Sequence, residues 1–176
     1  MITDELKYPI GKYVPEPFSE ATLQAWIADI RFLPQELEMA IENLDEIALN
    51  TPYRDGGWTI HQLAHHVADS HMNAFIRFKL ALTENNPSIK PYDQDAWVKL
   101  PDVLNEPVNV SITLLHALHR RWTSLLVEIN GDQWDRTLMH PEYQKTMTLW
   151  YLLGMYAWHS RHHVAHIVSC RNRLGW

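Results

Sequence analysis

Four stretches of this sequence carry apolar residues at three- and four-residue steps, and a chain with that period folds as helices that each bury one face. In the first stretch, from Ser19, Leu23, Trp26, Ile27, Ile30, Leu33, Leu37, Ile41 and Leu44 recur with acidic residues between them. The pattern predicts a helix over residues 19–47, bent or interrupted at Pro34. The second stretch begins at Thr59-Ile-His-Gln, where the Thr59 hydroxyl and the Gln62 amide can satisfy the free backbone donors of a first turn, and predicts a helix over 60–82. The third covers 108–129, with Ile112, Leu115, Trp122 and Leu126 on its apolar face and Gly131 just past its end. Thr148 caps a fourth helix that continues to about Arg173, ahead of Gly175. No stretch shows the period-two alternation of a strand. The expected fold is all-α, a four-helix bundle.

With 176 residues, the chain has the size of a single domain over 1–176. Residues 1–18 hold Pro9, Pro15 and Pro17 among aromatic residues, which suits an extended arm packed on the surface. Residues 84–106 show little periodicity, and predict a long ordered loop with a short turn around Asp93 to Lys99. A net charge of −6 leaves no basic stripe to neutralise phosphates, so nucleic acid is an improbable partner. No run approaches 18 apolar residues and the N-terminus lacks a signal pattern, so neither membrane nor secretion is expected and the location expected is cytoplasmic. Cys170 is the single cysteine. It forms no internal disulfide and no cysteine-rich zinc module, so a metal site here must use histidine, carboxylate or water.

Histidine is abundant, at eleven of 176 residues. Chance placement gives roughly 0.7 His-x-x-x-His pairs in such a chain. Three occur, His61/His65, His159/His163 and His162/His166, all in helical stretches. Imidazoles at that spacing stand one turn apart on one face, close enough to share a metal ion. Surface histidines and hydrogen-bonded core histidines produce the same spacing, so spacing alone does not choose among the pairs, whereas a cluster that acts as a pH switch gives no reason for it. Helix phase narrows the last helix to a stripe that runs from Leu152, Met155 and Tyr156 through His159, His163 and His166 to Cys170, with Trp158 and His162 to one side. On the second helix His66 shares a flank with Asp69 or Ser70, Asn73 and Arg77, polar groups that need solvent or a polar cavity. Three imidazoles with no carboxylate leave open positions on a metal, the pattern of a catalytic site. Zinc is the default ion for such donors, and nickel, iron and cobalt accept them too. An open position holds a water, whose pKa zinc brings to near 7, or a thiolate. The sequence has no Glu-x-x-His or Asp-x-x-His, which argues against a ferritin-type diiron carboxylate bundle.

The segments TPYRDGGWT from Thr51, HHVADSHMNAFIRFKLALTE from His65 and WHSRHHVAHI from Trp158, with the YPIGKY arm and the KPYDQDAW loop, resemble the YfiT group of the DinB-like superfamily over essentially the whole chain. The resemblance implies a four-helix bundle, a cytoplasmic homodimer, and one divalent ion per subunit at three histidines. It also implies metal-dependent hydrolysis of a small molecule, an activity that is itself inferred in that group from the metal site. Carried over by motif, the ligands are His66, second of the His65-His66 pair, and His159 and His163, first and fifth of HSRHH. Arg161 stands where related proteins often have another histidine. Other members of the superfamily are thiol S-transferases that join a low-molecular-weight thiol such as bacillithiol to an electrophile. Hydrolysis calls for a base, and since neither of the two triplets on the last helix, Ser-Arg-His and His-Val-Ala, holds a carboxylate, Asp69 is the nearest candidate. Thiol transfer calls for a pocket for an acidic thiol, to which Arg54, Arg77 and Arg161 are candidate contributors, although each reads first as a solvated surface charge, since arginine is mostly exposed. His65, His140 and His162 are candidates to orient ligands or relay protons. A noncatalytic metal-binding stress protein is the third reading.

Overall fold

Side-chain caps start three of the four long helices where the sequence places them. The Ser19 hydroxyl accepts from the Thr22 N–H at 3.1 Å, the Thr148 hydroxyl from the Tyr151 N–H at 3.1 Å, and Thr59 and Gln62 bond each other's backbone in a reciprocal box. A computed structural model describes residues 4–176. Its elements are α1 (Asp4–Lys7), α2 (Glu20–Ile41), α3 (Glu46–Leu49), α4 (Ile60–Thr83), α5 (Gln94–Trp97), α6 (Pro101–Asn105), α7 (Val108–Leu126), a 3-10 turn (Gly131–Asp135), β1 (Thr137–His140), β2 (Lys145–Thr148) and α8 (Leu149–Leu174). The four long helices, α2, α4, α7 and α8, form the bundle. Helix α2 packs on α7 and α8, and α4 packs on the same two. Helices consecutive among the four, α2 with α4 and α7 with α8, therefore stand on the diagonals.

The bundle holds two apolar clusters with a polar layer between them. One contains Trp26, Ile30, Ala74, Phe78, Trp122 and Ala157; the other contains Leu33, Leu37, Leu63, Ala68, Leu115 and Ile167. Between Ala68 and Ala74 α4 buries Ser70 and His71, between Leu115 and Trp122 α7 buries His119, and between Ala157 and Ile167 α8 buries Ser160, His162, His163 and His166. Each fully buried Leu or Phe in the clusters stabilises the fold by about 1.5–3 kcal/mol. The clusters thereby hold α4 and α8 face to face across the histidine layer.

Several boundaries depart from the expected ones. Helix α2 stops at Ile41 rather than near 47, because Asn43 takes a left-handed φ of 62° and Asp45 then caps the separate α3 through the Ala48 N–H at 2.8 Å. Pro34 is buried inside α2 and does not divide it. The expectation of no strand is corrected: β1 and β2 form an antiparallel hairpin pairing Thr137 with Thr148 and His140 with Lys145. Each strand has only four residues, too few for alternation to stand out. The loop over 84–106 contains the expected turn as α5 and also α6, and its start is tied to β1 by Met139 N–H donating to the Pro87 carbonyl at 2.9 Å. The arm carries α1 before running extended along α8, where the Trp150 and Trp158 indoles donate to the carbonyls of Glu16 and Gly11. Its first three residues lie outside the described residues. Among the described residues, no helix is long and apolar enough to cross a membrane.

The arm and α2 meet α8 at Gly154, where a Cβ would lie 2.5 Å from both Trp26 Cη2 and Tyr13 Oη. Trp26 is buried and cannot swing out without opening the core. Gly154→Ala is expected to destabilise the protein by about 1–3 kcal/mol through overpacking. The check is the urea unfolding midpoint; an unchanged midpoint shows that the arm and Trp26 yield without loss.

Candidate metal centre

One turn of α8 places His159 and His163 on the face toward α4, and their Nε2 atoms approach to 3.0 Å. His66 of α4 faces them, with ring centroids 5.5 Å from His159 and 5.1 Å from His163. One nitrogen from each of the three lies within 4.8 Å of the other two. Nitrogens bound to one zinc ion lie roughly 3.3 Å apart, so the cluster is of the size to close on a single ion. Burial pushes His66 down to about 4, against the pull of the Asp95 carboxylate. Burial, then neighbouring imidazoles, push His159 and His163 well below the usual range. All three are neutral at neutral pH and offer lone pairs. His163 Nδ1 is buried with no partner among the described residues, whereas His159 Nδ1 meets His71 Nε2 at 3.1 Å.

The three spaced pairs have separate roles. His61 and His65 both bond the Glu106 carbonyl at 3.1 Å, and His65 also bonds Ser111 at 2.7 Å, so this pair fastens the start of α7 to α4. His162 and His166 face each other, Nε2 to Nε2, at 3.0 Å, with His162 stacked on Trp158 and His166 against Tyr53. His159 and His163 converge with His66.

Among the described residues, two cavities meet at His159, which lines both. The narrower, about 150 Å³, runs from His159 past Ser70, Tyr156, Arg77 and His140, with an apolar wall of Ile89, Leu138, Met147 and Leu152. Arg77 is held there by Nη1 donating to the Tyr156 hydroxyl at 3.0 Å. The wider, about 410 Å³, is lined by all three histidines, His162, Arg54, Trp58 and Asp95. Arg54 lies over the Tyr53 ring at 5.3 Å. Arg161 is elsewhere: its guanidinium pairs with Asp29 at 3.5 Å on the α2 side, and it lines neither cavity. Asp69 also lines neither cavity. It is half-buried, and burial, then Asp102, raise its carboxyl to about 6.

Sequence reasoning missed Asp95, His71 and His119. Asp95 accepts from the Trp58 indole at 2.9 Å, and Trp58 packs on His66 with centroids 4.5 Å apart, so the wider cavity has a carboxylate wall. The KPYDQDAW loop carried that signal as a motif and not as a chemical pattern. His71 and His119 belong to no i, i+4 pair, since their partners lie on other helices.

A bundle of this topology around a buried imidazole cluster is the fold of the DinB superfamily, and the chain belongs to it: residues 29–167 match that family. A Bacillus cereus protein named "Putative metal-dependent hydrolase" is 51% identical over 174 residues, covering 98% of this chain and 99% of its own length. A Bacillus anthracis protein of the same name is 50% identical with the same coverage. The solved structure of YfiT from Bacillus subtilis, described as a probable metal-dependent hydrolase with an unusual four-helix bundle topology, matches with a TM-score of 0.95 at 47% identity, covering 98% of this chain and 99% of that one.

The buried imidazoles set the response to acid. His66, His119 and His162 are pushed down to about 4 and His166 to about 3, each by burial first. A group whose folded pKa lies below its unfolded value near 6.5 contributes stability that is present above pH 6.5 and lost as the pH falls through the lowered value. Asp29 and Asp69, raised to about 6, act oppositely, their contribution being lost as the pH rises through 6. The imidazoles outnumber them. Metal-free protein is expected to lose stability between about pH 6.5 and 4, by about 1.4 kcal/mol per pH unit for each proton taken up on unfolding. Urea midpoints across that range test this, and a midpoint that holds or rises toward acid contradicts it.

Proposed function

We propose that the protein is a metal-dependent hydrolase of small molecules in which His66, His159 and His163 hold one divalent ion. The observation that carries this is the convergence of three neutral imidazoles, His66 and His163 buried and His159 half-buried, on the wider cavity, with His159 also lining the narrower one. The names of the relatives support it. Zinc suits the donor set and nickel accepts it. When bound, such an ion supplies Lewis acidity, polarising a carbonyl or lowering the pKa of a group it binds. The same reading takes the protein as a cytoplasmic homodimer, as its resemblance to the YfiT group implies.

The chain's own residues select and orient the substrate. A cavity of about 150 Å³ is of the size that accepts a benzene-sized group. Its apolar wall takes the body of the substrate, and the Arg77 guanidinium, braced by Tyr156, takes an anionic or oxygen-rich end. Asp95 is the carboxylate on the wall of the wider cavity, and serves as proton acceptor in place of Asp69. One observation favours a second reading, thiol S-transfer: the wider cavity, about 410 Å³, carries Arg54 on its wall, where the carboxylate of an acidic low-molecular-weight thiol can bind.

Metal analysis of the purified protein beside His66→Ala and His163→Ala tests the site. Near-stoichiometric metal is expected in the wild type, with affinity falling in both variants by more than the about 10- to 100-fold that loss of an outer partner costs. Unchanged occupancy in both variants sinks the assignment. Assays with ester and amide panels, run beside conjugation of glutathione or bacillithiol to a model electrophile, separate the two chemistries: hydrolysis is expected, and conjugation without hydrolysis decides for transfer. Arg77→Met is expected to lower kcat/KM roughly 10- to 100-fold, the worth of one charge-assisted bond, with metal content unchanged.

A further inference from the structure

Pro34 sits one turn after Ile30 inside α2, and proline has no N–H for the carbonyl four residues back. The Ile30 carbonyl is thus released from the helix ladder at a residue with no exposed surface. His119 reaches it from α7, with Nδ1 against the carbonyl oxygen. A carbonyl only accepts, so His119 Nδ1 carries a hydrogen. A neutral imidazole has one N–H, which leaves His119 Nε2 as an acceptor. That atom lies 3.0 Å from His71 Nδ1, which therefore donates, leaving His71 Nε2 bare. His71 Nε2 lies 3.1 Å from His159 Nδ1, which donates in turn. The remaining nitrogen, His159 Nε2, is bare and points at His163 Nε2, 3.0 Å away. The opposite polarity would set a bare His119 Nδ1 against a carbonyl oxygen, two acceptors facing each other in a dry core.

We propose that this run of three hydrogen bonds, beginning at the carbonyl freed by Pro34, sets the tautomer of His159, so that His119 and His71 are positioning residues that present the His159 Nε2 lone pair to a divalent ion. The proposal rests on the three-histidine reading of the metal centre. His71 and His119 line neither cavity on the triad, and both are buried, so they act through His159 and not on a substrate. The device also gives Pro34 a role. A residue that weakens a helix interior supplies here the one acceptor from which three imidazole orientations follow.

Long-range 1H–15N correlation of the imidazoles in the metal-free, full-length protein reads the tautomers directly. Nδ1–H is expected at His119, His71 and His159; Nε2–H at His159 overturns the proposal. Zinc affinity, measured by competition with a chelator, is expected to fall about 10- to 100-fold in His71→Phe and His119→Leu, neither of which removes a ligand. The loss is expected to be smaller in His119→Gln, whose amide both donates and accepts. Affinities equal to the wild type in both apolar variants overturn the proposal. A wild type that binds no zinc overturns the three-histidine reading, and the tautomer measurement, made without metal, still decides the hydrogen-bond order.

Discussion

An imidazole nitrogen taken out of water finds a partner or costs about 1–3 kcal/mol, and this bundle buries a layer of imidazoles between its two apolar clusters. The interior on either side of that layer must therefore be arranged to supply partners. The Ile30 carbonyl supplies one, because Pro34 withholds the N–H that would otherwise occupy it. His71 bridges from His119 to His159, and His162 and His166 share one contact between their Nε2 atoms. His162 Nδ1 and His163 Nδ1 remain without a partner among the described residues.

Burial keeps these nitrogens neutral as well as demanding partners, and neutrality is what makes them donors for a cation. The apolar clusters clamp α4 and α8 on both sides of the layer, so the approach of His66 to His159 and His163 is set by packing of residues such as Phe78, Leu63 and Ile167. Stability and site geometry thus draw on the same contacts. Catalytic layouts often hold polar groups where a core would prefer apolar ones. Here the compensation is visible as hydrogen bonds from α2 and α7 that reach the site without touching its cavities.

Much of the fold was legible because the information is local. Thr59 with Gln62, Thr148 and Gly175 bound their helices as their chemistry dictates, and the stripe through Tyr156, His159, His163 and His166 follows from helix period alone. The errors came where a local pattern was outweighed by one residue or diluted by shortness. Ile41 and Leu44 continue the α2 rhythm, yet Asn43 turns left-handed between them and ends the helix. The hairpin strands are four residues each, and their pairing across Pro141 to Gln144 leaves no periodic trace.

By itself the sequence determined the four helices, the caps that start α2, α4 and α8, and the face that carries His159 and His163, since each depends on side chains within a few residues of one another. Tertiary structure alone decided which histidines meet. His61 and His65 share the helical spacing of His159 and His163 but fasten α7, while His119 and His71, with no spacing to mark them, join the layer from separate helices. Arg77, Arg54 and Asp95 reach cavity walls and Arg161 and Asp69 do not, although all five are charged residues of ordinary appearance in the chain. Spacing along a helix sets which way a side chain points, and only packing between helices sets what stands opposite.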